Sequence, residues 1–308
     1  MNDYRKGIIA AVASVLIWST TYISTKILVA EFSAIQISLV RFGIGALFLY
    51  MMAPPVFRMP DWKKETRIIA AGFAGMFLYY FLENLATKYT YASNVSIIVT
   101  TIPFLTVIMA PLFYKSETFR PRYVASFVLA VGGFAFILVT GRQLKGISWQ
   151  GDMLALGAAV VFAMYTLILK GLGTEENPLV VTRKSVSYGL LFILLFSLVS
   201  GDIRFPSNPF AFRYVWHFLF LGIFASGLCF VFWAYAVKHT GAIISSQFIY
   251  LVPFVTIVLS SVILAERITF FRIFGLFLML SGVVISQIDA GKITGELKNR
   301  KRLRKTAP

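Results

Sequence analysis

The feature that most limits this chain is a block that occurs twice inside apolar runs. Ala86-Thr87-Lys88-Tyr89-Thr90 returns as Ala236-Val237-Lys238-His239-Thr240, Ser96 returns as Ser246, and Pro103-Phe104-Leu105-Thr106 returns as Pro253-Phe254-Val255-Thr256. Glu117 returns as Glu266 and Gly133 as Gly282, with one residue lost between. Upstream, Gly7, Ala11 and Lys26 match Gly151, Ala155 and Lys170 at a constant offset of 144, while the later blocks match at 150 and then 149. Apolar helices resemble one another by composition. Aligned lysines, prolines, glutamates and glycines do not follow from hydrophobicity alone.

Both prolines lie in apolar runs of the length, about 20 residues, that crosses ~30 Å of hydrocarbon. Such runs recur along the whole chain, and 58% of its 308 residues are hydrophobic. That is more apolar surface than a soluble fold of this length hides. Ten spans are expected at about 7–29, 34–53, 67–87, 93–113, 121–139, 151–170, 182–200, 213–236, 242–264 and 271–289. In hydrocarbon each backbone polar group must be satisfied within its own segment, so the spans are helices. Pro54-Pro55, Gly141, Gly171 and Pro206 mark several ends. The first run is too long for a signal-peptide core and no small-residue cleavage site follows it, so it reads as a retained helix.

Lys and Arg in alternate loops set the orientation. The N-terminus, the 2–3, 4–5 and 6–7 loops, Lys238 and the tail carry 20 of them, against 8 in the other set. Both termini are therefore expected on the cytoplasmic side of the plasma (inner) membrane. Five spans per copy is an odd number, so the second copy enters the membrane upside down. The expected fold is an all-α integral membrane protein of ten helices, arranged as two inverted five-helix repeats around a central cavity. Residues 1–140 form the first repeat, 141–290 the second and 291–308 a basic cytoplasmic tail. Inverted repeats are an architecture of secondary transporters.

The formal charge is +16. The basic residues sit in loops and in the tail, with Lys298 to Lys305 placed against anionic lipid, so the charge does not point to nucleic acid. The single cysteine, Cys229, lies inside a span, which leaves no disulfide framework and no cysteine-based metal site. No Walker motif is present, so ATP does not drive the protein directly. His217 and His239 fall near opposite ends of the eighth span, Cys229 has no histidine at its depth, and no span carries a carboxylate pair. Neither an enzyme nor a metal or cofactor is expected.

Trp18-Ser19-Thr20-Thr21-Tyr22 through Lys26, Arg41-Phe42, and the two blocks Ala86 to Gly133 and Ala236 to Gly282 together cover nearly the whole chain. On those residues the sequence resembles the EamA family of the drug/metabolite transporter superfamily. The resemblance implies ten helices around a cavity and transport, often export, of small metabolites. It implies no one substrate, since the family moves amino acids, nucleotide-related compounds and drugs. Glu83-Asn84 departs from the family pattern, with a carboxylate where apolar or weakly polar residues are usual.

Ionisable groups inside a membrane are costly and face a cavity or a partner. Arg41, Glu83 and Lys26 fall at a similar outer depth and are expected to form one polar cluster. Two readings of Arg41 and Glu83 stand: a buried pair holding two helices in register, or a site for a cationic substrate group or a proton. Trp18 and Tyr22 share a helix face, as do Tyr79 and Glu83. With Asn94, Thr101, Trp233 (the repeat partner of Glu83), Gln247 and Tyr250 they make up the expected cavity lining. Mixed aromatic and polar faces suit an amphipathic organic ligand. Pro103 and Pro253 each lack an N–H and are expected to leave the carbonyls of Val99 and Ile249 open, kinking their helices as hinges or gates. Glu117 and Glu266 are expected in salt bridges near Arg120 and Arg267. Gly43, Gly45, Gly72, Gly75, Gly132, Gly133, Gly275 and Gly282 are expected to let helices approach closely.

The expected activity is export of a small amphipathic metabolite (amino-acid-like, nucleoside-like or drug-like) by alternating access, proton-coupled through Glu83. A lipid flippase and, more distantly, an intramembrane enzyme are the alternatives. The expected partners are the small-molecule substrate, membrane lipids and a second copy of the chain.

Overall fold

Asn2, Asp61, Ser148 and Asn177 each place a side-chain oxygen on a backbone N–H of the turn that follows, supplying a partner that a helix start otherwise lacks. The computed structural model describes residues 2–52, 61–115, 121–140, 148–173, 175–201 and 211–263, with 270, 274, 275, 277, 278, 281, 282 and 285. The tenth span as a continuous helix, the basic tail, Pro54-Pro55, Gly141 and Pro206 lie outside these residues, as do Glu117, Arg120, Glu266, Arg267 and the side chain of Asn94.

Among the described residues the chain is helical, without strands. Helices α1 (Asp3–Leu28) and α2 (Ala34–Met52) come first. The next crossing is α3 (Trp62–Ala71), a π-helical segment Gly72–Leu78, and α4 (Tyr79–Tyr89). The fourth is broken into α5 (Ala92–Val99) and α6 (Ile102–Phe113), and α7 (Pro121–Thr140) follows. The second half repeats this order: α8 (Trp149–Lys170), α9 (Pro178–Ser200), then α10 (Phe212–Leu219), a π segment Phe220–Leu228 and α11 (Cys229–Thr240). Last come α12 (Ala242–Gln247), a 3₁₀ turn Phe248–Leu251 and α13 (Val252–Ile263). Eight helical stretches are long and apolar enough to cross a bilayer, and they coincide with eight of the ten expected spans. Exposed Leu112, Leu198, Val199 and Val262 cover their outer faces, as lipid contact requires.

The main contacts join the first half to the second and come in matched pairs. α1 lies on α11 as α8 lies on α4, and α2 lies on the second π segment as α9 lies on the first. A methyl group added at Gly7 would stand 2.8 Å from Thr240 Cγ2, and one at Gly151 would stand 2.9 Å from Thr90 Cβ. Gly45 meets Gly222 and Ser226, while Gly189 meets Gly72 and Met76. Each such pair is related by the sequence offsets of the duplication. With no hydrophobic force between helices in lipid, this close approach supplies the packing.

Two expectations need correction. Gly43 and Gly132 have no atom of a described residue within 4 Å of a would-be Cβ, so they make no close approach to the described helices. The two prolines do not kink continuous helices. Each stands in the first turn of a new helix, α6 or α13, where a missing N–H costs nothing. Ile249 O is not left open, because the chain tightens into 3₁₀ geometry and the Val252 N–H donates to it. Before Pro103 the Thr100 and Thr101 N–H groups likewise reach back three residues, to Ile97 O and Ile98 O.

Gly189→Val should therefore destabilise the detergent-solubilised protein by roughly 1–3 kcal/mol, the cost of overpacking. Gly43→Ala should leave the thermal midpoint unchanged or slightly raised. Equal melting of the two variants would contradict the tight α9 contact.

Candidate functional site

The π segment Gly72–Leu78 ends where Tyr79 opens α4. One extra residue in a helical turn rotates everything after it by roughly 100°. The side chains that follow, Tyr79, Tyr80 and Glu83, all face a small cavity of about 20 Å³, room for a water-sized group. α1 contributes Trp18, Thr21 and Tyr22 to its wall, and α8 contributes Phe162. The rest comes from the two helix breaks: Val99 and Ile102 flank the first, and Ile249 and Val252 flank the second. Both halves of the chain thus build one chamber.

Glu83 is the only charged residue among the described lining, and it is 5% exposed. Tyr79 OH donates to Glu83 Oε1 at 2.6 Å, and the Tyr22 hydroxyl reaches the same carboxylate. The rings around it are steeply inclined to one another. Tyr79 and Tyr80 lie 4.8 Å apart at 80°, and Trp18 and Phe162 lie 5.7 Å apart at 89°. Trp18 is held by its indole N–H on Ala225 O at 3.0 Å, a link from α1 to the second π segment.

The structure divides the expected charge cluster. Arg41 is fully buried, donates from Nε to Ser226 Oγ at 2.8 Å, and lays its guanidinium 4.0 Å over the Tyr80 ring. Its two Nη atoms have no hydrogen-bond partner, and no salt bridge joins it to Glu83. Tyr80 carries the Arg41 guanidinium on its ring and lines the cavity together with Glu83. Lys26 Nζ instead donates to Thr87 O at 2.8 Å and Thr90 O at 2.9 Å, capping the end of α4.

Of the expected lining, Trp18, Tyr22, Tyr79 and Glu83 are brought together. Trp233, Gln247, Tyr250 and Thr101 are not on the cavity wall. Trp233 packs against Trp18 and Phe162 and donates to Thr166 Oγ1 at 3.3 Å. Gln247 accepts from Ser126 Oγ at 3.2 Å, Tyr250 is 1% exposed, and Thr101 bonds back to Ile98 O at 2.8 Å. Sequence reasoning missed Tyr80 and Phe162. Phe162 carried a usable signal, since it stands 144 positions after Trp18, the offset of the first spans.

Beyond the cavity, two groups of contacts tie the halves together. One is ionic. Lys64 meets Glu176 at 2.8 Å, Glu65 meets Lys184 at 2.6 Å and Tyr188 OH at 2.5 Å, and Arg67 donates to Gly171 O at 2.6 Å. Glu65 is 2% exposed, so the pair is shielded from solvent. The other is aromatic, with Phe32 edge-on to Tyr214 at 5.3 Å and to Phe218 at 5.1 Å. Tyr214 is the repeat partner of Lys64, at 150, and Phe32 that of Glu176, at 144. The same contact is thus made with opposite chemistry.

Comparison with known proteins bears on this arrangement. A solved crystal structure superposes with a TM-score of 0.72, covering 93% of this chain and 98% of its own at 18% identity, which shows the fold. A protein of Archaeoglobus fulgidus named an uncharacterized transporter is 26% identical over 280 residues, 89% of this chain and 94% of the relative. A probable terminal-alkyne amino-acid exporter of Streptantibioticus cattleyicolor is 27% identical over 264 residues, 85% of this chain and 86% of the relative. Bacillus subtilis YyaM, an uncharacterized transporter, is 25% identical over 273 residues, covering 86% and 88%. These relatives are named as transporters, not as enzymes. The EamA-like transporter family model matches twice, over residues 5–139 and 149–287, and the chain belongs to that family.

Proposed function

We propose that the chain is a secondary transporter that exports a small amphipathic metabolite across the plasma membrane by alternating access. In this reading two inverted repeats, residues 1–140 and 141–290, supply five crossings each, and both termini lie in the cytoplasm. One observation carries the proposal: both halves contribute to a single chamber whose described lining holds one buried carboxylate, Glu83. A lone buried charge needs a balancing partner. A proton or a cationic substrate group can provide it in turn, which couples the two fluxes. The reciprocal contacts of Gly7 with Thr240 and of Gly151 with Thr90 support the inverted arrangement, as does the double family match. The amino-acid exporter among the relatives supports the direction of transport.

Inversion also assigns the two inter-half contact groups to opposite membrane faces. The ionic clasp then closes the cytoplasmic end and the aromatic clasp closes the outer end. Alternating access needs one to loosen while the other holds.

Three outcomes follow. Proteoliposomes should show counterflow of a bound solute, which a channel or an enzyme does not give. Glu83→Gln should cut accumulation driven by a proton gradient by about tenfold or more, as removal of an essential group does, while melting as a folded, monodisperse protein. A Gln variant that still responds fully to the gradient would remove proton coupling from the proposal. In a Cys229→Ser background, Glu65→Gln should make Leu172→Cys in the ionic clasp more reactive to a thiol probe and Phe218→Cys in the aromatic clasp less reactive. A rise at both positions would mean general loosening rather than alternation.

A further inference from the structure

We infer that the solute taken by this chamber is an organic monocation, an amine or quaternary ammonium on a flat apolar body, held by the Glu83 carboxylate inside a wall of aromatic faces. The inference rests on the transport reading above and narrows it to one charge class.

The first ground is the sign of the charges. Among the described lining residues there is one carboxylate and no Lys, Arg or His. The two nearest basic side chains are engaged elsewhere. Lys26 Nζ lies on the carbonyls of Thr87 and Thr90. The Arg41 guanidinium lies on Tyr80, held through Nε by Ser226, and is not part of the wall. A solute carboxylate would enter beside Glu83 with no counter-charge, and a buried unpaired charge costs several kcal/mol. A cationic solute supplies the balance that a proton on Glu83 supplies otherwise, and a neutral solute supplies none.

The second ground is the wall. Trp18, Tyr22, Tyr79, Tyr80 and Phe162 surround the carboxylate. Their rings are inclined rather than parallel, with Tyr79 and Phe162 at 55°, Tyr79 and Tyr80 at 80°, and Trp18 and Phe162 at 89°. The rings pack edge to face on one another, and an aromatic wall beside a carboxylate attracts a desolvated ammonium. Glu83 Oε1 is taken by the Tyr79 hydroxyl. The Tyr22 hydroxyl also reaches this carboxylate, whose remaining lone pairs can accept from an N–H donor or face a quaternary centre.

The test uses the full chain in lipid nanodiscs and four probes that share one aryl body: 2-phenylethylamine, its neutral N-acetyl derivative, zwitterionic phenylalanine and anionic 3-phenylpropionate. Calorimetry should rank the amine first, about tenfold or more ahead of the neutral and anionic probes, with the zwitterion between. In Glu83→Gln that preference should collapse to less than about threefold. Gly43→Ala lies off the chamber and should keep the preference, and Glu83→Gln should melt as the parent does, which together control for damage to the fold. Equal binding of the neutral probe, tighter binding of the zwitterion or anion, no amine binding at millimolar concentration, or an unchanged preference in Glu83→Gln each overturns the inference. Counterflow with whichever probe binds separates the two readings. Amine binding without exchange sinks the transporter and spares the cation site, while exchange of phenylalanine without amine preference does the reverse.

Discussion

Within a bilayer no water is available to the backbone, so each N–H and C=O must find its partner in the protein. Continuous helices meet that demand at once, and most of this chain obeys. The departures are few, and they converge. The first π segment, the break between α5 and α6, and the 3₁₀ turn before α13 all meet at the chamber. There the irregular backbone is enclosed by protein. Thr100 and Thr101 turn their hydroxyls onto Ile97 O and Ile98 O at 2.5 and 2.8 Å, and the Val252 N–H takes Ile249 O. A chamber needs walls that are not straight rods, and only short local hydrogen bonds allow such walls at this depth.

The two buried charges meet the same constraint differently. Arg41 has a planar guanidinium that stacks on Tyr80 and bonds Ser226, and it binds α2 to the second π segment. The fork is always charged and tolerates a π face as a partner. Glu83 accepts from the Tyr79 hydroxyl and faces the chamber instead. On that contrast rests the proposal that one charge holds helices and the other answers to a solute.

The architecture was largely legible in the sequence because it rests on long-range regularities: apolar runs of fixed length and a duplication at fixed offsets. Trp18, Tyr22, Tyr79 and Glu83 were found for the same reason, since i, i+4 spacing in a helix places side chains on one face. The failures came from local geometry that spacing does not report. Trp233 was assigned to the cavity as the partner of Glu83, but its indole instead closes onto Thr166 behind Trp18 and Phe162. The prolines were read as kinks because a proline inside an apolar run looks the same whether the helix bends or restarts. Nothing in the residue pattern announces a π turn. Tyr80 was therefore overlooked, although it carries Arg41 on its ring and lines the chamber with Glu83.

Duplication gives the two halves one scaffold, and divergence gives them different tasks. At equivalent places Tyr22 and Glu83 in the first half stand where Thr166 and Trp233 stand in the second, and Arg41 stands where Ser185 does. In the second half Thr166 and Trp233 satisfy one another and seal the packing. In the first half the carboxylate is left facing open volume. A perfectly symmetric pair would bind a solute equally in either orientation. Here the hydroxyls and the carboxylate of the lining, Thr21, Tyr22, Tyr79, Tyr80 and Glu83, come from the first half, while the second contributes Phe162, Ile249 and Val252. The clasps extend the same asymmetry. A shielded ion pair and an aromatic contact occupy equivalent places, and salt or a change of charge acts on the first far more than on the second. In the proposed alternating-access cycle, the balance between two conformations that a symmetric molecule would hold level is therefore set by which residues diverged, not by the fold they share.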